Sequence, residues 1–133
     1  MIEISLEKSR LEVDMIHHFL KTSYWAKGRP IVDVQSSIAN SLCYGVYKNE
    51  KQIGFARIVT DYIVFAYLMD LFILPEYREN GYLKQLMKAI VEEPKLQKCK
   101  TWVLKTSDAH GLYKHFDFNE LKDSEKVMER ILK

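Results

Sequence analysis

The chain has little cysteine, little net charge and no long apolar run, and each shortage closes off a class of function. Its two cysteines, Cys43 and Cys99, lie far apart, with neither a Cys-x-x-Cys pair nor Cys/His ligand spacing. They read as buried, reduced thiols of a cytoplasmic protein rather than as a disulfide or a metal site. The four histidines, His17, His18, His110 and His115, form no metal motif either, so no metal is expected. The longest apolar run, Ile63–Met69, is far too short to span a bilayer. The opening Met1-Ile2-Glu3-Ile4-Ser5-Leu6-Glu7-Lys8 brings in charge too early for a secretory signal. Lys and Arg number 20 against 18 Asp and Glu, a formal charge of +2, and the basic residues are scattered. Neither a nucleic acid nor a membrane is expected as a partner.

The 133 residues are 47% hydrophobic and 29% charged, the composition of one soluble globular domain spanning 1–133. No repeat, linker or low-complexity stretch divides it. Residues 2–6 read as a short strand. Apolar positions Leu11, Met15, Ile16, Phe19 and Leu20 predict a helix over 9–21, and Ile31, Val34, Ile38 and Leu42 a second one to about residue 40. The period then changes. Ser41–Tyr47 and Gln52–Val59 form a hairpin around a polar turn, and Ile63–Leu74 reads as a strand at the sheet centre, buried on both faces. A helix over 82–92 stops before Pro94, a strand follows at Thr101–Lys105, and Ser107 or Asp108 would cap another helix. Phe118–Leu121 and Lys126–Leu132 are expected as two last strands, the second almost equally as a helix. This order predicts an α+β, layered α/β fold with a mixed, mostly antiparallel central sheet flanked by helices.

The most informative stretch runs from Leu68 to Met87. An apolar strand enters a turn holding Pro75, Arg78 and Gly81 and then opens an amphipathic helix. The first backbone N–H groups of such a helix have no partner inside it, and its dipole adds about half a positive charge, so the turn suits a phosphate. Arg78 and Gly81, after Leu71-Phe72-Ile73-Leu74-Pro75-Glu76-Tyr77, resemble the acyl-CoA motif of the GNAT superfamily of N-acyltransferases, Arg/Gln-x-x-Gly-x-Gly/Ala. The element order resembles that family from end to end. The resemblance implies that amides of Glu79, Asn80, Gly81, Leu83 and Lys84 hold the pyrophosphate of acetyl-CoA. The backbone of Leu71 and Ile73 would meet the pantetheine arm. Leu83 departs from the family's Gly or Ala: its side chain either turns to the core or crowds the cofactor.

A second segment, Thr106–Phe118, resembles the family's Asn-x-x-Ala-x-x-Leu-Tyr-x-x-x-Gly-Phe through Ala109, Leu112, Tyr113 and Phe118. Thr106 replaces the Asn and Asp117 the Gly; Asp tolerates the left-handed backbone that such a turn needs. The resemblance makes Tyr113 the donor that protonates the departing thiolate, against the plainer reading of a packing tyrosine. Asp70, among Leu68, Met69, Phe72 and Ile73, is the candidate base, unless it pairs with Arg57 or another cation. Tyr67 lies on the opposite face of the strand by alternation; Asp108 and His110 are weaker candidates. Tyr24 and Trp25, in a loop with Lys27 and Arg29, would wall the acceptor pocket with Tyr67, where aromatic faces can hold an ammonium. The implied activity is transfer of an acetyl group from acetyl-CoA to a small-molecule or peptide amine by direct attack. The alternative is a catalytically silent domain of the same fold that binds CoA or a protein partner. A homodimer is expected if Val127, Met128, Ile131 and Leu132 supply a sheet edge.

Overall fold

Five strands form one sheet in chain order: β1 (Glu3–Ser5), β2 (Leu42–Lys48), β3 (Lys51–Thr60), β4 (Phe65–Ile73) and β5 (Thr101–Leu104). The computed structural model describes residues 1–132. Neighbours β1 to β4 pair antiparallel, whereas β5 runs parallel to β4. The helices are α1 (Val13–Thr22), α2 (Ile31–Ala39), α3 (Tyr82–Val91) and the short α4 (His110–Lys114). The layered α+β fold predicted from the element order is the fold observed. None of the helices is long and apolar enough to cross a membrane among the described residues.

Each face of the sheet buries one apolar layer. Leu86, Met87 and Ile90, one stripe of α3, pack onto Val46, Ile53, Ala56, Ile58 and Leu68. Ile16 and Leu20 of α1 and Val34 and Ile38 of α2 cover Cys43, Phe55 and Phe72 on the other side. Between these layers β3 is buried from Gln52 to Ile58. It is β3, therefore, and not β4, that lies at the centre of the sheet. Β4 alternates buried and half-buried residues, because one of its faces looks into an open cleft. Its predicted first residues, Ile63 and Val64, are exposed and belong to a turn whose amides donate to the Asp61 carboxylate.

Helix α1 starts later than its apolar spacing predicts. Residues 8–10 make a single 3₁₀ turn, and Glu12 is then held by buried Gln52, which accepts from the Glu12 N–H at 2.7 Å while its own N–H donates to the Glu12 carboxylate at 2.8 Å. The β2–β3 turn uses Asn49 and Glu50, both at positive φ (51° and 67°), the handedness that matches the twist of a tight hairpin. The two strands expected at 118–121 and 126–132 do not form. Beyond Phe118 the described chain has only turns and a 3₁₀ turn at Ser124–Lys126, and Val127, Met128, Ile131 and Leu132 are exposed. An apolar strand needs a neighbour to satisfy its backbone, and these residues pair with none. The sheet edge expected to join two copies is thus absent from residues 118–132.

Candidate active site

A bulge in β4 generates the site. Phe72 stands opposite Phe55 and Met69 opposite Arg57, so Asp70 and Leu71 together face Ala56. Asp70 takes the left-handed conformation (φ 53°) that such an extra residue requires. Pairing with β5 covers only Phe65–Leu68 against Thr101–Leu104. Past that point the strands part, and a cleft of about 1300 Å³ opens between them. The Leu74 N–H still donates to the Ile53 carbonyl. By alternation Ile73 and Leu71 therefore turn their peptide groups away from β3, toward the gap. The Ile73 carbonyl is engaged there by the Arg78 guanidinium at 3.0 Å. Arg78 thus braces the turn as it leaves the strand.

One end of the cleft is the start of α3. Glu79 and Gly81 both have positive φ (66° and 78°), which swings successive N–H groups to one side. The first helical bond is from the Gln85 N–H to the Gly81 carbonyl. Among the described residues, the N–H groups of Glu79, Asn80, Gly81, Tyr82, Leu83 and Lys84 donate to nothing. A Cβ on Gly81 would meet no atom within 4 Å, so the space over this row is open. The first turn of α3 carries no acidic residue. Leu83 is half-buried and packs against the α3-side core. Its side chain thus meets that core and also borders the cleft, while its N–H stays in the row. Such a cradle of outward amides and dipole fits a diphosphate.

Tyr113 lies on the β5 side of the same cleft, ring to ring with Phe118 at 6.1 Å. Burial, with smaller contributions from Tyr24 and Asp108, pushes its phenol up to about 12. It is a fully protonated donor at neutral pH. Asp117 does adopt the left-handed turn expected of it (φ 68°). The expected cap of α4 is different: Ala109 is the N-cap residue, and the Thr106 hydroxyl accepts from its N–H at 3.1 Å. Asp108 and His110 are exposed.

At the other end Asp70 is 4% exposed and engaged on both oxygens. Oδ2 accepts from Arg29 Nη1 at 2.8 Å and Arg57 Nε at 2.9 Å, and Oδ1 from Trp25 Nε1 at 3.0 Å. The pairing with Arg57 weighed as the alternative to a base is the arrangement present, with Arg29 in addition. Both carboxylate oxygens are thus already committed to partners within the protein. The bulge also corrects the placement of Tyr67. Ala66 and Leu68 precede it on the α3 face, but beyond it Leu71 and Ile73 hold that face. Tyr67 and Asp70 therefore share one face and line one cleft. Trp25, 41% exposed, and Tyr24, 67% exposed, stand at the mouth in edge contact at 5.2 Å. Ser107 donates to the Tyr24 hydroxyl at 2.9 Å, bridging the two rims. Arg29 was named in the loop but given no part by sequence reasoning. A buried Asp facing two arginines was the signal, and only the fold brings the three together.

The arrangement joins a row of free backbone N–H groups, a neutral phenol and an aromatic mouth along one cleft. A family model described as the acetyltransferase (GNAT) domain matches residues 39–120. A crystal structure from Xanthomonas campestris pv. campestris, assigned to the GNAT family, is 41% identical, covers 99% of this chain and 94% of its own, and superposes with a TM-score of 0.97. A Clostridium acetobutylicum protein solved with acetyl-CoA shares the fold at 16% identity and a TM-score of 0.70, over 98% of this chain and 96% of that one. A Gibberella zeae protein carrying an acetyltransferase name is 26% identical over 109 residues, 67% of this chain; the match spans only 62% of that relative's length.

Proposed function

The chain belongs to the GNAT family of acetyltransferases, and from that premise we propose that it transfers an acetyl group from acetyl-CoA to an amine by direct attack. The observation that carries this reading is the open row of undonated N–H groups from Glu79 to Lys84, beside the gap between β4 and β5. In this reading the amides of Glu79, Asn80, Gly81, Leu83 and Lys84 hold the diphosphate. The outward peptide groups of Leu71 and Ile73 lie along the pantetheine arm, with Arg78 securing the Ile73 carbonyl. When bound, acetyl-CoA supplies the activated acetyl thioester.

The residues of the chain then bind, orient and donate. Tyr113 offers its O–H to the departing sulfur. A thiol of ordinary acidity, near 8.5, is a much stronger acid than a phenol pushed up to about 12. Tyr113 accordingly stabilises the leaving sulfur by hydrogen bonding more than by handing over its proton. An acceptor amine, charged at neutral pH until it sheds a proton, enters between Tyr24, Trp25 and Tyr67 and loses that proton to water. Asp70 fixes the Trp25–Arg29 loop against the bulge. Catalysis is then mostly a matter of positioning two substrates in one cleft.

The test is calorimetric titration with acetyl-CoA, followed by free-thiol release over a panel of small amines and amino-terminal peptides. Binding with acceptor-dependent thiol release is the expected result. Absence of both heat and any rise in melting temperature at millimolar acetyl-CoA overturns the reading, and binding without release from any acceptor leaves a CoA-binding domain that does no transfer.

A further inference from the structure

The group around Asp70 carries more positive charge than it neutralises. Each nitrogen of Arg57 has a partner: Nε on Asp70, Nη1 on the Ser41 hydroxyl at 3.1 Å and Nη2 on the Met69 sulfur at 3.4 Å. Its side chain is 8% exposed, and it does not reach the cleft. Arg29 differs. Only Nη1 is engaged, on Asp70; among the described residues, Nε and Nη2 donate to nothing. Its side chain is 22% exposed, and it forms part of the cleft wall next to Trp25 and Asp70. Two guanidiniums thus share one carboxylate, among the described residues the only acidic group in ion-pair contact with either. A half-buried cation with an idle N–H fork in the wall of a cleft is a site for an anion, and a planar fork matches a carboxylate.

Resting on the acetyl-transfer reading, we infer that the acceptor is a small amino-acid-like molecule whose carboxylate is bound by the free fork of Arg29. Its amine is thereby directed toward Leu71. Arg29 reaches the strand at Asp70, next to Leu71 in the chain, and in this reading a short skeleton separates acid and amine. Trp25 and Tyr67 flank the same space and would cover the carbon skeleton between them. In the transfer, the amine nitrogen forms the new C–N bond, the thioester C–S bond breaks, and one amine proton ends on the released sulfur. The acid is unchanged from start to finish. It needs a fixed countercharge, which the +1 excess of the Arg29–Asp70–Arg57 group provides. A simple alkylamine or polyamine would instead bring a second positive charge to this wall.

The experiment compares acceptors with the amines left when their carboxylate is removed: phenylalanine with phenylethylamine, lysine with cadaverine, β-alanine with ethylamine. Thiol release from acetyl-CoA is the readout. For the best acceptor, the acid is expected to exceed its twin in kcat/KM by roughly tenfold or more, the penalty for leaving a built donor unpaired. Arg29→Gln should abolish that margin by raising KM for the acid, with KM for acetyl-CoA within about twofold, and Arg29→Lys should recover part of it. Should Arg29→Gln not fold, the wild-type comparison of twins decides alone. Equal twins, or better amines, overturn the inference and leave acetyl transfer standing. If acetyl-CoA binds but no acceptor releases thiol, acetyl transfer itself fails. The inference is then judged by whether the acids raise the melting temperature more than their twins, and no difference overturns it as well.

Discussion

Tyr113 and Leu83 show how far a single residue can be read. Burial at Tyr113 raises the phenol to about 12, so its donor form is constant across the range in which an acceptor amine deprotonates. The sign follows: kcat/KM should climb with pH as the amine becomes neutral, with no falling limb from Tyr113 below about pH 10. Tyr113→Phe should lower kcat by roughly 10–100-fold, the worth of a hydrogen bond to a charged atom, with acetyl-CoA affinity held within about twofold. A falling limb near pH 8 that disappears in the variant would show the phenol releasing its proton far more readily than its burial allows. At Leu83 two orientations were open from the sequence, and its half-buried side chain both meets the α3-side core and lines the cleft. Leu83→Ala should cost about 1–2 kcal/mol of stability, as for other partly buried truncations, and change acetyl-CoA affinity less than threefold in calorimetry. A large gain in affinity would mean that the leucine obstructs the cradle after all.

Strands and helices were legible where period and neighbours agreed. The stripes of α1 and α2, the hairpin and the strand–turn–helix at Pro75–Gly81 all follow from spacing. The bulge was not legible, because alternation assumes an unbroken register and the extra residue is chosen by tertiary partners of Asp70. Those partners explain why Tyr67 changes face in β4, and they make Asp70 the hub of an ion-pair group, the pairing that the sequence offered beside the role of base. Asp70→Asn separates the two roles. With the anion gone, Arg29 and Arg57 confront each other without a countercharge, a loss of about 3–5 kcal/mol for a broken buried pair. The melting temperature should fall by something on the order of 10 °C for a chain of this size, while residual acetyl-CoA binding persists below the new transition. An equally stable variant that binds acetyl-CoA yet fails to turn over would return Asp70 to the chemistry as the base.

For the whole molecule, stability and site come from the two layers on the sheet, and the residues after Phe118 add little to either. From residue 119 to 132 every position is exposed, and the side-chain ion pair that ties this stretch back to the sheet, Lys105 with Glu129, lies at the surface. A pair of that kind is worth at most about 1 kcal/mol. The apolar alternation of Val127, Met128, Ile131 and Leu132 suggested strands because a sequence shows which side chains want cover, not whether an edge is available. Β5, at four residues, offers a short one, and the tail does not use it. A chain ending at Glu120 should accordingly unfold within about 5 °C of the full-length protein, since roughly 1 kcal/mol shifts a domain of this size by only a few degrees. It should keep the same rise in melting temperature with acetyl-CoA. A much larger loss, dependent on protein concentration in the full-length chain alone, would show that these exposed side chains are covered by a second copy in solution, and sedimentation of the two lengths would then separate a dimer from a monomer.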